Sequence, residues 1–195
     1  MITKKVLINQ LAEKNNGILA VSEMMKLGIS KQYCMFFLKQ NGYERAARGV
    51  YLSQDAFNDD FYIICRQYKQ AVFSHESALY LLGLAERTPI HYTVTVPHGY
   101  RTNVFRQKGI EVYTSNNERY SIGLIEIQTP NNHTVLCYDA ERTLCDIFRT
   151  ETDPQDKQNA VIEYLRERKN ITKLMKYAEV FHVDERILKY MEVIL

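Results

Sequence analysis

The chain has 195 residues, 46% of them hydrophobic and 25% charged, with a net charge of +2. That composition is that of an ordinary globular protein with enough buried surface for one large domain or two small ones. No apolar run approaches the roughly 18 residues a membrane helix needs, and Met1–Lys5 followed by Asn9 and Gln10 lacks the pattern of a secretory signal; a cytoplasmic protein without a membrane partner is expected.

Val6, Leu7, Leu11 and Ala12 recur at near-helical spacing and predict a first helix within residues 4–14. Ser22 is expected to cap a short second helix over Glu23 to Leu27, which Gly28 stops. Ser30 then caps a third helix running to Gln40, and the spacer Gly28-Ile29-Ser30 has the length of a helix-turn-helix turn. In that third helix Cys34, Phe37 and Leu38 form one apolar face, which should hold the helix on its domain. Lys31, Gln32, Met35 and Lys39 lie on another, left for DNA.

Asn41 to Leu52 reads as two brief strands closed by a turn at Arg48-Gly49, with arginines at 45 and 48. A helix followed by an arginine-bearing hairpin is the end of a winged helix-turn-helix. Such a helix fits the major groove, and the hairpin can reach a phosphate or the minor groove. The predicted contact set is Lys4, Lys5, Ser30, Lys31, Gln32, Tyr33, Lys39, Arg45 and Arg48. Lys31, Gln32 and Tyr33 fall on the first turn, and Gln32 is suited to an adenine edge. Tyr33 could equally pack. Residues 1–55 carry eight Lys/Arg against four acids, whereas the remainder is slightly acidic. A basic first quarter on a near-neutral body is the electrostatic footprint of a DNA-reading module.

Ser53-Gln54-Asp55 marks a break, which divides the chain into residues 1–55 and 56–195. Beyond it the pattern predicts a helix from about Asp60 to Tyr68, a short strand at Ala71–Phe73 and a helix capped by Ser74 and ended by Gly83. Strands follow at Tyr92–Val96, Ile110–Tyr113, Leu124–Ile127 and Thr134–Cys137. Four helices close the chain at roughly 140–150, 155–168, 171–181 and 185–194, with caps at Asp139, Asp153 and Asp184. The expected fold class is α+β: an N-terminal winged helix-turn-helix followed by an α+β domain of mixed sheet and C-terminal helices.

Signals for chemistry are sparse. The cysteines at 34, 65, 137 and 145 form no Cys-x-x-Cys pair and sit in apolar stretches, which predicts buried reduced thiols. The histidines at 75, 91, 98, 133 and 182 show no metal-ligand spacing, so neither a metal nor a cofactor is expected. Ser74-His75-Glu76 reads as a helix cap with a favourable first-turn acid rather than a nucleophile, since no Gly-x-Ser-x-Gly elbow occurs. Glu126-Ile127-Gln128 echoes the acidic half of a nuclease site without its companion residues. Arg142 and Asp146 are spaced for a local i,i+4 pair. The loop Pro97–Arg101, with Arg106 and Lys108 beyond it, is a basic-aromatic patch that could meet nucleic acid or an acidic partner, or simply be solvated.

Four phrases in order give the chain a resemblance to a known family: Arg45-Ala46-Ala47-Arg48-Gly49-Val50-Tyr51, Ser74-His75-Glu76-Ser77-Ala78-Leu79, Tyr92-Thr93-Val94-Thr95-Val96-Pro97, and Asp139-Ala140-Glu141-Arg142-Thr143-Leu144-Cys145-Asp146. Along nearly its full length the chain resembles the AbiEi family of type IV antitoxins from bacterial abortive-infection systems. The resemblance implies a bifunctional, non-catalytic protein. Its winged helix would repress its own operon by binding inverted repeats in double-stranded DNA, two copies at a time. Its C-terminal domain would neutralise a nucleotidyltransferase-like toxin without forming a stable complex. Arg101, Arg106 and Lys108 are the expected antitoxic surface, with Lys169, Lys173 and Lys176 on the late helices in reserve. Two alternatives stay open on the residues alone: a winged-helix regulator that responds to a ligand, and a nuclease delivered to DNA by its winged helix.

Overall fold

The computed structural model describes residues 3–167 and 170–194. The chain forms two compact units. One comprises Met1–Lys69 together with Asn131–His133, and the other Gln70–Pro130 and Thr134–Leu195.

In the first unit α1 (Lys4–Lys14) starts at Thr3, whose hydroxyl accepts from the Val6 amide. A three-residue strand, β1 (Ile18–Ala20), follows and runs straight into α2 (Val21–Lys26). Ser22 therefore lies inside the helix and is not its cap. Ala20 holds the cap position with no side-chain bond, and the Val21 amide is satisfied by the Gly49 carbonyl at 2.9 Å. Gly28, at φ +78°, makes the turn into α3 (Lys31–Gln40), and there the Ser30 hydroxyl does cap, accepting from the Tyr33 amide at 3.4 Å. Cys34, Phe37 and Leu38 are buried with Ile8, Leu19, Val21, Met24 and Ile29, so the apolar face of α3 anchors it as its spacing requires.

The hairpin consists of β2 (Glu44–Ala47) and β3 (Val50–Leu52), turning at Arg48-Gly49. With β1 it makes an antiparallel sheet of order β1-β3-β2, and the register shifts between Arg45 and Ala47. Ser53-Gln54-Asp55 is a turn within this unit and not its end. The chain continues into α4 (Asp60–Gln67), which packs on β2 and β3. Asp59 caps α4 through the Tyr62 amide, and its second carboxylate oxygen lies 2.7 Å from His133 Nδ1. The His133 ring stacks on Tyr62 and directs Nε2 at the Asn15 carbonyl, 3.1 Å away, which ties Asn131–His133 into the unit.

The second unit is α+β. In chain order it holds β4 (Val72–Phe73), α5 (His75–Leu81), β5 (Thr93–Pro97), α6 (Asn103–Arg106), β6 (Glu111–Ser115), α7 (Asn117–Tyr120), β7 (Leu124–Gln128) and β8 (Thr134–Tyr138). Then come α8 (Ala140–Arg149), α9 (Pro154–Arg166), α10 (Ile171–Phe181) and α11 (Asp184–Ile194). The sheet is mixed, in the order β6-β5-β4-β8-β7, with β5/β6 and β4/β8 parallel and the other two pairings antiparallel. Position in the sheet shows in the side chains. Interior strand β5 is buried from Thr93 to Val96, whereas edge strand β7 alternates exposed and half-buried residues along its length.

Helix α8 is the centre of the unit, buried from Ala140 to Phe148 and packed on α5, α9, α10 and α11. Leu79, Leu144, Ile147, Phe148, Tyr164, Leu174, Phe181 and Ile187 fill the core around it. Asp139 and Asp153 cap α8 and α9 as expected, and Pro154 occupies the first turn of α9, where its missing N–H leaves nothing unpaired. Helix α11 begins at Asp184 itself, so that residue is not a cap. The four free cysteines are buried. Burial pushes the Cys145 thiol up to about 12 and Cys137 well above its usual range, which makes both poor nucleophiles.

Candidate nucleic-acid interface

Helix α3 carries no acidic residue. Its outward face consists of Lys31, Gln32, Met35, Phe36 and Lys39, all exposed. Residues 31, 35 and 39 repeat at i,i+4, as do 32 and 36, so the five form one continuous surface with cations at both ends and two apolar side chains between. Phe36 is 56% exposed and Met35 40%. Phe36 was missed in the sequence, although its position four residues after Gln32 is the signal that places it there.

Two neighbours extend this face. From α1, the Lys4 ammonium stands 5.6 Å from the centroid of the Tyr33 ring, which in turn lies 6.2 Å from that of Phe36. From β3, the Tyr51 hydroxyl lies 3.8 Å from Met35 Sδ, and Tyr51 is the register partner of Arg45 on β2. The fold thus brings Lys4, Lys31, Gln32, Lys39 and Arg45 to one neighbourhood. Arg48 is exposed at the hairpin turn and Lys5 on α1. Ser30 and Tyr33 play more internal parts, since Ser30 is the helix cap and the half-buried Tyr33 packs against the apolar core.

In the second unit Arg101, Arg106, Lys108 and Lys176 are exposed. Arg106 sits on α6, so the segment expected as an open loop contains a turn of helix. Lys173 is part-exposed but not a free cation. It bridges Asp139 at 2.9 Å and Glu141 at 3.0 Å, and the Tyr164 hydroxyl also donates to Glu141. Burial works against the Glu141 charge, but the bonds from Lys173, a backbone amide and Tyr164 outweigh it, and the carboxyl ends below its usual range. Lys169 lies outside the described residues.

A second polar constellation was not legible as a unit. Ser74 precedes α5 yet makes no cap bond; its Oγ accepts from the Thr95 hydroxyl at 2.9 Å and lies 3.0 Å from His75 Nδ1. The His75 ring is buried and stacked on Tyr113 at 3.7 Å, and its backbone is left-handed at φ +49°. Burial first, then the nearby Arg142 and Arg149, bring the imidazole down to about 3, so it is neutral at pH 7. Arg142 is buried too. Its Nε donates to Asp146 at 3.0 Å, its NH1 donates to the Arg119 and Ile122 carbonyls, and its guanidinium lies 4.2 Å from the centroids of both the Tyr138 and Phe181 rings. The pair read as a local i,i+4 contact is therefore a core ion pair. Glu126 lies exposed on β7, and among the described residues no three His, Cys, Asp or Glu side chains gather as a metal-holding group.

The second unit is thus an α+β body of mixed sheet with C-terminal helices, joined in one chain to a small helical unit with a three-stranded sheet. No family model and no curated protein matches the chain. Among solved structures it is similar to the crystal structure of the RV2827C protein from Mycobacterium tuberculosis, with 14% identity, a TM-score of 0.57, and coverage of 89% of this chain and 70% of that one. At that identity the likeness concerns the fold alone. No helix among the described residues is long and apolar enough to cross a membrane.

Proposed function

We propose that the first unit is a winged helix-turn-helix that binds double-stranded DNA, and that the protein is the autorepressing antitoxin of a type IV toxin-antitoxin pair. The observation that carries the DNA half is the outward face of α3, which is free of acids, basic at both ends and flanked by the Arg45/Arg48 hairpin. Lysines and arginines there would hold phosphates and fix the register, leaving Gln32, Met35 and Phe36 for base edges. One such module buries too little surface to select a genomic site, so two copies on an inverted repeat are expected.

The antitoxin half is supported by the four resembling sequence phrases, and it concerns the second unit. A nucleotidyltransferase-like toxin is the functional partner in this reading. Its test is co-expression with the neighbouring gene. Full-length protein carrying Arg48→Ala should lose repression of the upstream promoter yet still rescue growth. For DNA binding, a gel shift should favour the upstream inverted repeat over a scrambled one. Equal affinity for the two would remove the repressor reading, and loss of growth rescue together with repression would remove the division of labour.

The ligand-responsive alternative has one observation in its favour, the cleft beside His75 in the second unit.

A further inference from the structure

His75, Thr114, Ser115, Asp146, Arg149 and Thr150 line a cleft of about 300 Å³, open solvent included, wholly within the second unit. We infer that this cleft is a binding site for a small tetrahedral oxyanion of the phosphate class, held by the Arg149 guanidinium and the His75 Nε2–H. The inference does not depend on the DNA reading.

Charge is the first argument. Asp146 is the carboxylate lining the cleft, and two guanidinium groups share it: Arg142 Nε at 3.0 Å and Arg149 NH1 at 3.6 Å. Arg142 is held through Nε by Asp146, through NH1 by two backbone carbonyls, and between two aromatic faces. Arg149 is the loosely held partner. Its side chain is 38% exposed, and among the described residues it has only the long contact to Asp146 and a 5.4 Å approach to the Phe181 ring. The lining therefore carries one positive charge in excess, with most of a guanidinium fork unused, the arrangement that suits bidentate recognition of an oxyanion. Glu111, the other acid near Tyr113, accepts from the Tyr113 hydroxyl at 2.7 Å. Glu76 faces Thr152.

The second argument is the tautomer of His75. The Thr95 hydroxyl donates to Ser74 Oγ, which leaves the Ser74 proton free to donate to His75 Nδ1, 3.0 Å away. In the inferred site Nδ1 is the acceptor of this contact and Nε2 carries the hydrogen. The ring is only 3% exposed, yet among the described residues nothing in the protein accepts from Nε2, and the ring lines the cleft. A hydrogen on Nε2 is therefore open to an acceptor that occupies the cleft. The same residue is held in left-handed backbone at φ +49°, a conformation that non-glycine residues keep mainly where the surroundings over-determine it, often at binding sites. Ser115 on β6 and Thr150 just after α8 also line the opening, the Thr150 hydroxyl already donating to the Asp146 carbonyl at 3.1 Å.

An oxyanion answers the Arg149 guanidinium and the His75 Nε2–H together; a cation would meet Arg149, and a neutral ligand would leave its charge unanswered. The enclosed space, about 50 Å³, is far below that of a drug-sized ligand pocket and has room for a single phosphate group rather than a whole nucleotide. Free phosphate and the terminal phosphate of a small ester share this chemistry.

The test is calorimetric titration of the full-length protein with inorganic phosphate and, separately, with AMP, at constant ionic strength set by chloride. His75 ring nitrogen shifts are followed by NMR in parallel. Saturable phosphate binding that moves the Nε2 resonance is expected, weakened about tenfold or more in Arg149→Ala, as loss of a charge-assisted contact requires, and unchanged in Lys176→Ala. Tighter binding of AMP would identify a phosphate ester as the ligand, and phosphate alone would identify the free ion. Arg149 is partly exposed, so its alanine variant should fold, and its circular dichroism checks this. The inference is overturned by binding that survives Arg149→Ala unchanged, or by the absence of both heat and His75 shift at millimolar phosphate and AMP.

Discussion

The two units treat charge in opposite ways. In the first, Lys31, Lys39, Arg45 and Arg48 stand exposed around an acid-free helix face, next to two solvent-facing apolar side chains. In the second, Arg142, Asp146, Glu141 and Asp139 are buried and mutually paired, or paired with Lys173. An exposed cation contributes little to folding and is available to a partner; a buried one is bound to its neighbours, and removing it leaves the other charge stranded. Mutations in the first unit should therefore change binding at nearly constant stability, and those in the second should change stability first.

The largest effect is expected from Arg142→Ala. It leaves Asp146 buried without its closest partner and frees two carbonyls, so denaturant unfolding should show a loss of about 3–5 kcal/mol. Arg48→Ala should stay within about 0.5 kcal/mol of the parent, as an exposed site does. Similar costs for the two would erase the contrast between the units.

Acid sharpens it next. The His75 imidazole titrates near 6.5 when unfolded and is pushed to about 3 when folded. Across that window the unfolded state binds the extra proton, so the stabilisation is complete above the unfolded value and drains away as pH falls. At about 1.4 kcal/mol per pH unit, the decline between pH 6.5 and 4.5 should approach 2–3 kcal/mol, and His75→Asn, which tolerates left-handed backbone, should flatten it. The Glu141 carboxyl, held below its usual range, adds its own loss at still lower pH. An unchanged slope in His75→Asn would assign the acid sensitivity to other groups.

Within the first unit, Phe36 is the sharpest test of the proposed DNA binding. An apolar side chain in the major groove contacts the thymine methyl group. Replacing thymines of the half-site by deoxyuridine one at a time should weaken binding by up to about 0.8 kcal/mol at one position, the worth of one buried methyl group, and Phe36→Ala should lose that discrimination while folding normally. Equal discrimination by parent and variant would place Phe36 off the bases. The smallest effects should come from Lys31→Ala and Arg48→Ala, each flattening the slope of log K against log salt by about 0.9 per phosphate contact. Unchanged slopes and affinities in both would move the DNA face elsewhere.

Where the deciding interactions lie within one turn or one helical period, the residues alone determined the outcome: the Ser30 cap, the buried Cys34-Phe37-Leu38 face, the Arg48-Gly49 turn, and the order of strands and helices in the second unit. Three-residue β1 and four-residue α6 and α7 are too short to show a period. Tertiary structure decided the rest, because the partners are distant in sequence. Ser74 reads as a cap until Thr95, 21 residues away, takes its oxygen. Lys173 reads as a solvated cation until Asp139 and Glu141 arrive from α8 and its cap. Arg142 and Asp146 show their i,i+4 spacing in the sequence, but only the packing of α5, α9, α10 and α11 around α8 puts that pair out of water. The first unit extends to Lys69 because Asp59 meets a histidine 74 residues further on. Periodicity encodes which face of a helix is apolar; whether a polar side chain on it meets solvent or a partner depends on what folds against it.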